Sequence, residues 1–103
     1  MAEDRNLIII RDLIRSKFEN VKIYLFGSRT RNDNRFDSDY DLLVVLDKEL
    51  SSSEKIGLSS LLRRELAQSA IDADILVKSP TDVADYVDKI GCIIHSALQG
   101  IAL

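Results

Sequence analysis

Residues 27–46 read GSRTRNDNRFDSDYDLLVVL: a glycine–serine pair, a polar stretch, and two aspartates at the start of an apolar run. The run Asp41–Leu46 is typical of a buried β-strand. The preceding segment Val21–Phe26 is rich in β-branched and aromatic side chains and predicts another strand, which ends at Gly27. The polar residues between the two strands predict a loop. A glycine–serine turn and two carboxylates are therefore expected near the ends of successive strands.

The rest of the chain predicts helices that cover these strands. Apolar residues at helical spacing predict one helix over about Glu3–Phe18, one that begins at Ser53, and one that begins at Pro80 and carries an apolar stripe to Ile101. A third strand is predicted at Ile71–Val77. The order α-β-β-α-β-α predicts an α/β (α+β) fold with a small mixed β-sheet, in which the helix crossover makes the second and third strands parallel neighbours. The inward face of the second helix is predicted to hold Ile56, Leu61, Leu62 and Leu66.

The composition is typical of one small globular domain over residues 1–103. The chain has 103 residues, of which 46% are hydrophobic, so a single core is expected. Its 14 basic and 17 acidic residues give a net charge of −3, which argues against general nucleic-acid binding. A lone cysteine excludes an internal disulfide, and no membrane-spanning or signal-like run occurs. A cytoplasmic protein without membrane association is predicted.

The pair Gly27 and Ser28 is a candidate phosphate-binding turn. Glycine allows a ligand to approach the main chain closely, and free N–H groups at a helix start favour an anion. Arg29 follows and is a candidate for a supporting contact with a triphosphate. Simpler interpretations remain open: the pair is an ordinary turn, and the nearby arginines are either paired with Asp33 and Asp37 or simply solvated.

Acidic residues on two strands are the candidate metal ligands. Asp39 and Asp41 share one face of a strand, roughly 6–7 Å apart along the chain. Such carboxylates repel each other unless a cation lies between them, and Mg²⁺ prefers oxygen ligands. The third strand adds Asp72 and Asp74 among apolar residues. Both carboxylates of the second strand and one from the third, converging beside a phosphate-binding turn, predict two-metal phosphoryl or nucleotidyl transfer. A solvated strand entrance with surface acids is the alternative.

The spacing of these residues resembles a known signature. Gly27-Ser28, ten further residues and Asp39-x-Asp41 resemble the DNA polymerase β-like nucleotidyltransferase superfamily, and in particular its minimal nucleotidyltransferase branch. The segment 73–80 is also similar to that branch, and the similarity extends over nearly the whole chain. It implies the polymerase β-like fold, in which Gly27 and Ser28 hold the β- and γ-phosphates of a nucleoside triphosphate.

The resemblance also implies roles for the acids. Asp39 and Asp41 would ligate two Mg²⁺ ions. Asp74 would ligate the catalytic ion and help to deprotonate the acceptor hydroxyl. Asp72 competes with Asp74 for this third position because both lie on one strand face. Asp74 is preferred, because the Ile-Leu-Val and Ser-Pro that follow it have the spacing found in the family.

The implied activity is Mg²⁺-dependent transfer of a nucleoside monophosphate, preferentially AMP from ATP, to a hydroxyl. Minimal members of the superfamily are commonly paired with small helical HEPN proteins, and the resemblance implies an antitoxin that modifies a tyrosine of such a partner. A homo-oligomer is a further expectation. The last helix is the predicted partner surface, since Tyr86, Ile93 and Leu98 widen its apolar face. The alternatives are a non-catalytic antitoxin that acts by contact, and transfer to a small-molecule hydroxyl.

Overall fold

The computed structural model describes residues 5–26, 40–86 and 97–103. The strands in this part of the chain form one mixed sheet in the order β3-β2-β1-β4. Strand β2 is parallel to β3 and antiparallel to β1, and β1 is antiparallel to β4. The predicted α/β fold and the parallel neighbours are therefore confirmed. The elements are α1 (Arg5–Lys17), β1 (Lys22–Phe26), β2 (Tyr40–Val45), α2 (Ser52–Gln68), β3 (Ala73–Lys78), α3 (Pro80–Tyr86) and β4 (Ile101–Ala102).

The central strand β2 is buried on both faces. On one face Leu42 belongs to the main core, into which α1 and α2 insert Ile14 and Leu66. On the other face Leu43 packs in a smaller cluster with Ala97. Because successive side chains of a strand point to opposite faces, a strand covered on both sides must be apolar throughout. The run that follows Asp41 meets this requirement.

The buried face of α2 is narrower than predicted. Leu62 and Leu66 are fully buried as expected, whereas Ile56 is 68% exposed and Leu61 is 39% exposed. With 3.6 residues per turn, Ile56 lies about 120° around the helix axis from Leu62. The prediction that Ile56 and Leu61 face inward is therefore wrong. The helix itself begins one residue earlier than predicted, after the N-cap Ser51.

The predicted helical stripe does not extend to Ile101. This residue begins β4, which pairs with β1 and sets Ile101 opposite Leu25. A turn precedes it, in which the N–H of Gly100 donates to the carbonyl of Ala97 at 3.0 Å. The prediction was wrong because Ile101 follows Ala97 at helical spacing although the chain between them turns. Spacing alone does not distinguish a continued helix from a turn that leads into a short strand. Of the residues predicted to widen the apolar face, Ile93 lies outside the described residues, and Leu98 packs against the smaller cluster.

Two glycines should respond in opposite directions to alanine. A Cβ at Gly100 would lie 2.1 Å from the carbonyl oxygen of Leu25, whereas a Cβ at Gly57 would meet nothing within 4 Å. We expect Gly100→Ala to lower the free energy of unfolding by about 1–3 kcal/mol, because β4 must move away from β1. Gly57→Ala, in the exposed part of α2, should raise it by about 0.5–1 kcal/mol. Urea denaturation measures both changes, and the same sign for both would contradict the close approach of β4.

Asp82 links the start of α3 to α2. Its carboxylate accepts hydrogen bonds from the N–H and the Oγ of Ser79, both at 2.9 Å, and forms an ion pair with the Nζ of Lys55 at 2.7 Å. Burial opposes ionisation and raises the pKa of Asp82. The hydrogen bonds from Lys55 and Ser79 outweigh that effect and lower the pKa from 3.8 to about 2. The ionised carboxylate therefore stabilises the fold.

This depressed pKa predicts a pH-dependent effect of Asp82→Asn. The stabilisation is present above the pKa of the unfolded chain and is lost as the pH falls through the folded value. We expect the variant to lower the free energy of unfolding by about 1 kcal/mol at neutral pH, after allowance for solvent screening. The difference should shrink between pH 3.8 and about 2. Denaturation across that range is the measurement, with Asp85→Asn on the same helix as control. A constant difference between wild type and Asp82→Asn would contradict the interpretation.

Candidate active site

Asp41 and Asp74 lie opposite each other on neighbouring parallel strands. The register sets Tyr40 opposite Ala73 and Asp41 opposite Asp74. This register begins with a hydrogen bond from the N–H of Tyr40 to the carbonyl of Asp72, at 3.1 Å. Adjacent strands are about 4.8 Å apart, and partners in a parallel register project to the same face. The two carboxyl groups therefore stand side by side.

This pair lies where β2 and β3 begin, on the face of the sheet that carries the smaller apolar cluster. Asp41 is half-buried and Asp74 is exposed. On the other side of Asp41, β1 contributes Phe26, its last residue, as the register partner. Strand β1 therefore ends where β2 and β3 begin, and the acids occupy the resulting border between the sheet and solvent.

Four of the predicted site residues lie outside the described residues: Gly27, Ser28, Arg29 and Asp39. In the sequence the first three follow Phe26 directly. Over residues 5–26, 40–86 and 97–103, no group of three or more His, Cys, Asp or Glu side chains forms a metal-binding cluster. Of the predicted carboxylates, the structure brings together Asp41 and Asp74. The roles of all six residues stay predictions.

The chemistry of the described pair fits a magnesium ion. Mg²⁺ dehydrates reluctantly, keeps several waters, and is typically bound by one or two carboxylates together with substrate phosphates. Asp41 and Asp74 supply two carboxylates on one face, and the exposure of Asp74 leaves room for hydrated ligands. Two neighbouring negative charges also repel each other, which a bound cation relieves. The pair is thus suited to hold a hard divalent ion.

The register favours Asp74 over Asp72 as the partner of Asp41. Asp72 is also exposed, but it precedes β3 and contributes its main-chain carbonyl to the ladder with β2. Its side chain lies two positions from Asp74, a separation of about 6–7 Å along the strand. Asp72 is therefore near the pair without lying opposite Asp41.

A cleft of about 530 Å³ adjoins Asp74 on the outer side of β3. Its walls include Asp72 and Asp74 from one side and Arg63 and Arg64 of α2 from the other. In the described part of the chain, neither arginine forms an ion pair or a hydrogen bond. Sequence reasoning missed these two residues as site candidates. The available signal was a pair of arginines close to the end of the helix that leads into the acid-bearing third strand.

Comparison with family models gives a match that covers most of the chain. A family model described as "Polymerase beta, Nucleotidyltransferase" matches residues 9–99, which include both acid-bearing strands. A search of curated proteins and a search of solved structures each returned no significant match. None of the helices in the described ranges is long and apolar enough to cross a membrane.

Proposed function

The chain belongs to the polymerase beta nucleotidyltransferase family, and we propose that it transfers AMP from ATP to a hydroxyl group in a Mg²⁺-dependent reaction. The observation that carries this proposal is the register of β2 and β3, which sets Asp41 opposite Asp74 at the edge of the sheet. Mg²⁺ is typically bound by one or two carboxylates together with substrate phosphates, which this pair and a bound nucleotide would supply.

The proposed reaction is a single displacement at phosphorus. The acceptor oxygen attacks the α-phosphorus of ATP, and the bond between that phosphorus and the bridging oxygen breaks. Pyrophosphate leaves, and the proton of the acceptor hydroxyl passes to the carboxylate of Asp74. Asp74 is exposed and lines the cleft, which supports direct access of an acceptor to this group.

The candidate site residues are assigned to the metal ions and to the nucleotide. We assign Asp39, Asp41 and Asp74 as ligands for two magnesium ions. Gly27 and Ser28 are assigned to the β- and γ-phosphates, with Arg29 in support. Magnesium bound by these carboxylates would neutralise charge on the triphosphate and lower the pKa of the acceptor hydroxyl.

We further propose that the acceptor is a tyrosine of a small helical HEPN protein, which this chain inactivates as an antitoxin. The support is the resemblance of two segments, residues 27–41 and 73–80, to the minimal nucleotidyltransferase branch. Assembly with that partner or with further copies of this chain, and a cytoplasmic location, belong to the same proposal.

The test is transfer of label from α-labelled ATP, in the presence of Mg²⁺, to the protein encoded beside this chain's gene, which we propose to be a HEPN protein. We expect label on the partner with the wild-type chain and with Asp12→Asn, an exposed control on α1, but not with Asp41→Asn. Stoichiometric binding of the partner without any labelling would instead favour an antitoxin that acts by contact. Label on a small-molecule alcohol and none on the partner would favour nucleotidyl transfer to a small-molecule hydroxyl.

A further inference from the structure

A continuous groove runs along the outer edge of β3. The cleft of about 530 Å³ beside Asp74 adjoins a second cleft of about 510 Å³, and the two share Ser60 and Arg63 of α2. The second cleft extends along β3 as far as Lys78. We call these two clefts together the α2–β3 groove. One of its ends is the candidate active site.

The floor of this groove is a strand edge. Among the described residues, β3 pairs only with β2. The carbonyls of Asp72 and Lys78 point toward β2, where they accept hydrogen bonds from the N–H groups of Tyr40 and Leu46. Because the direction alternates along a strand, the main-chain groups of every second residue between them point away from β2. One of these, the carbonyl of Ile75, accepts a hydrogen bond from the Oγ of Ser59 at 2.6 Å. With the exposed Ile56 beside this edge, the outward main-chain groups on either side of Ile75 suit the extended main chain of another polypeptide.

The groove carries a small excess of positive charge on a protein that is acidic as a whole, since its lining includes Lys55, Arg63, Arg64 and Lys78 together with Asp72, Asp74 and Asp82. Lys55 and Asp82 neutralise each other in an ion pair of 2.7 Å. The other cations, Arg63, Arg64 and Lys78, form no ion pair within the described ranges. The whole chain has a net charge of −3. A local surface of opposite sign attracts and orients an acidic ligand.

We propose that the α2–β3 groove binds an extended acidic segment of the acceptor protein and presents its hydroxyl to Asp74. This inference rests on the proposed function, since it names the acceptor class of the same site. Arg63 and Arg64 bind acidic side chains beside the hydroxyl, because they line the cleft that Asp74 also lines. Ile56 contacts an apolar side chain farther along the segment.

The binding test uses a fluorescent copolymer of glutamate and tyrosine as the probe. We expect Arg63→Gln/Arg64→Gln to weaken binding about tenfold, as for two lost exposed ion pairs. The control Arg5→Gln/Arg11→Gln removes the same charge from exposed positions of α1 and should bind like wild type. Hydrogen exchange at residues 73–78 should slow when the copolymer binds, and a lysine–tyrosine copolymer should not bind.

Several results would overturn the proposal. One is equally weakened binding of the glutamate–tyrosine copolymer in both double variants. Another is protection from hydrogen exchange that is confined to residues outside β3 and α2. A third is tight binding of the lysine–tyrosine copolymer. Displacement of the copolymer by a tighter-binding oligonucleotide would assign the groove to nucleic acid instead. Failure of the proposed function is distinguishable: the wild type then labels no acceptor, while the difference in copolymer binding persists. If the Arg63/Arg64 variant labels the HEPN partner as fast as wild type, the groove assignment fails and the transferase stands.

Discussion

Asp74→Asn should reduce nucleotidyl transfer at least about 100-fold, since a metal and its ligands supply several kcal/mol of transition-state stabilisation. The substitution keeps the size of the side chain and removes its charge and its basicity. Asp74 is exposed, so the variant should fold like wild type. Asp72→Asn should keep most of the activity, because Asp72 does not lie opposite Asp41. The measurement is the initial rate of α-label transfer at saturating ATP and Mg²⁺, with thermal unfolding as the control for folding.

Asp41→Asn should have an effect of similar size, and the two substitutions should not be additive. When two groups act as one catalytic unit, removing either group abolishes most of their joint contribution, so removing the second costs little more. The Asp41/Asp74 double variant should therefore be little slower than either single variant. Full activity of Asp74→Asn, together with loss of activity in Asp72→Asn, would move the third carboxylate to Asp72.

Leu42→Ala should lower the free energy of unfolding by about 2–5 kcal/mol, the usual cost of a large cavity in a core. Leu42 is 0% exposed and lies in the central strand, between β1 and β3 and against the cluster under α1 and α2. A loss of this size is a large part of the roughly 5–15 kcal/mol that stabilises an ordinary domain. Urea denaturation gives the value directly.

The matched control for this prediction is Leu61→Ala. Leu61 is 39% exposed, so its truncation should cost less than about 1 kcal/mol. Equal costs for the two substitutions would contradict the position of β2 at the centre of the core. Leu42 points to the face opposite Asp41, so folded Leu42→Ala protein at low temperature should still transfer AMP.

The central part of the fold could be predicted from the sequence because β2 is apolar on both faces. Only a strand covered on both sides needs the run that follows Asp41, and the helix before the next strand makes the two strands parallel. The register could not be predicted in the same way. Asp72 and Asp74 lie on one face, and a slip by two residues preserves the alternation of buried and exposed side chains. In the structure, the hydrogen bond from the N–H of Tyr40 to the carbonyl of Asp72 belongs to the register that sets Asp41 opposite Asp74.

Features that depend on tertiary contacts were beyond sequence reasoning. Strand β4 has two residues, and its position depends on how closely Gly100 approaches Leu25. Similarly, Arg63 and Arg64 look like ordinary residues of a solvated helix face until β3 is placed beside α2. Their relation to Asp74 exists only in the cleft that the two elements form together.

The central claim is tested most directly with ATP labelled separately at the α- and γ-phosphorus, incubated with Mg²⁺ and the proposed HEPN partner. We predict that α label appears on the partner and γ label appears only in released pyrophosphate, and that both products are lost with Asp41→Asn and with Asp74→Asn. The appearance of γ label on the partner would show phosphoryl transfer and contradict this account. Transfer of α label that is unchanged in both variants would contradict the assignment of these two carboxylates.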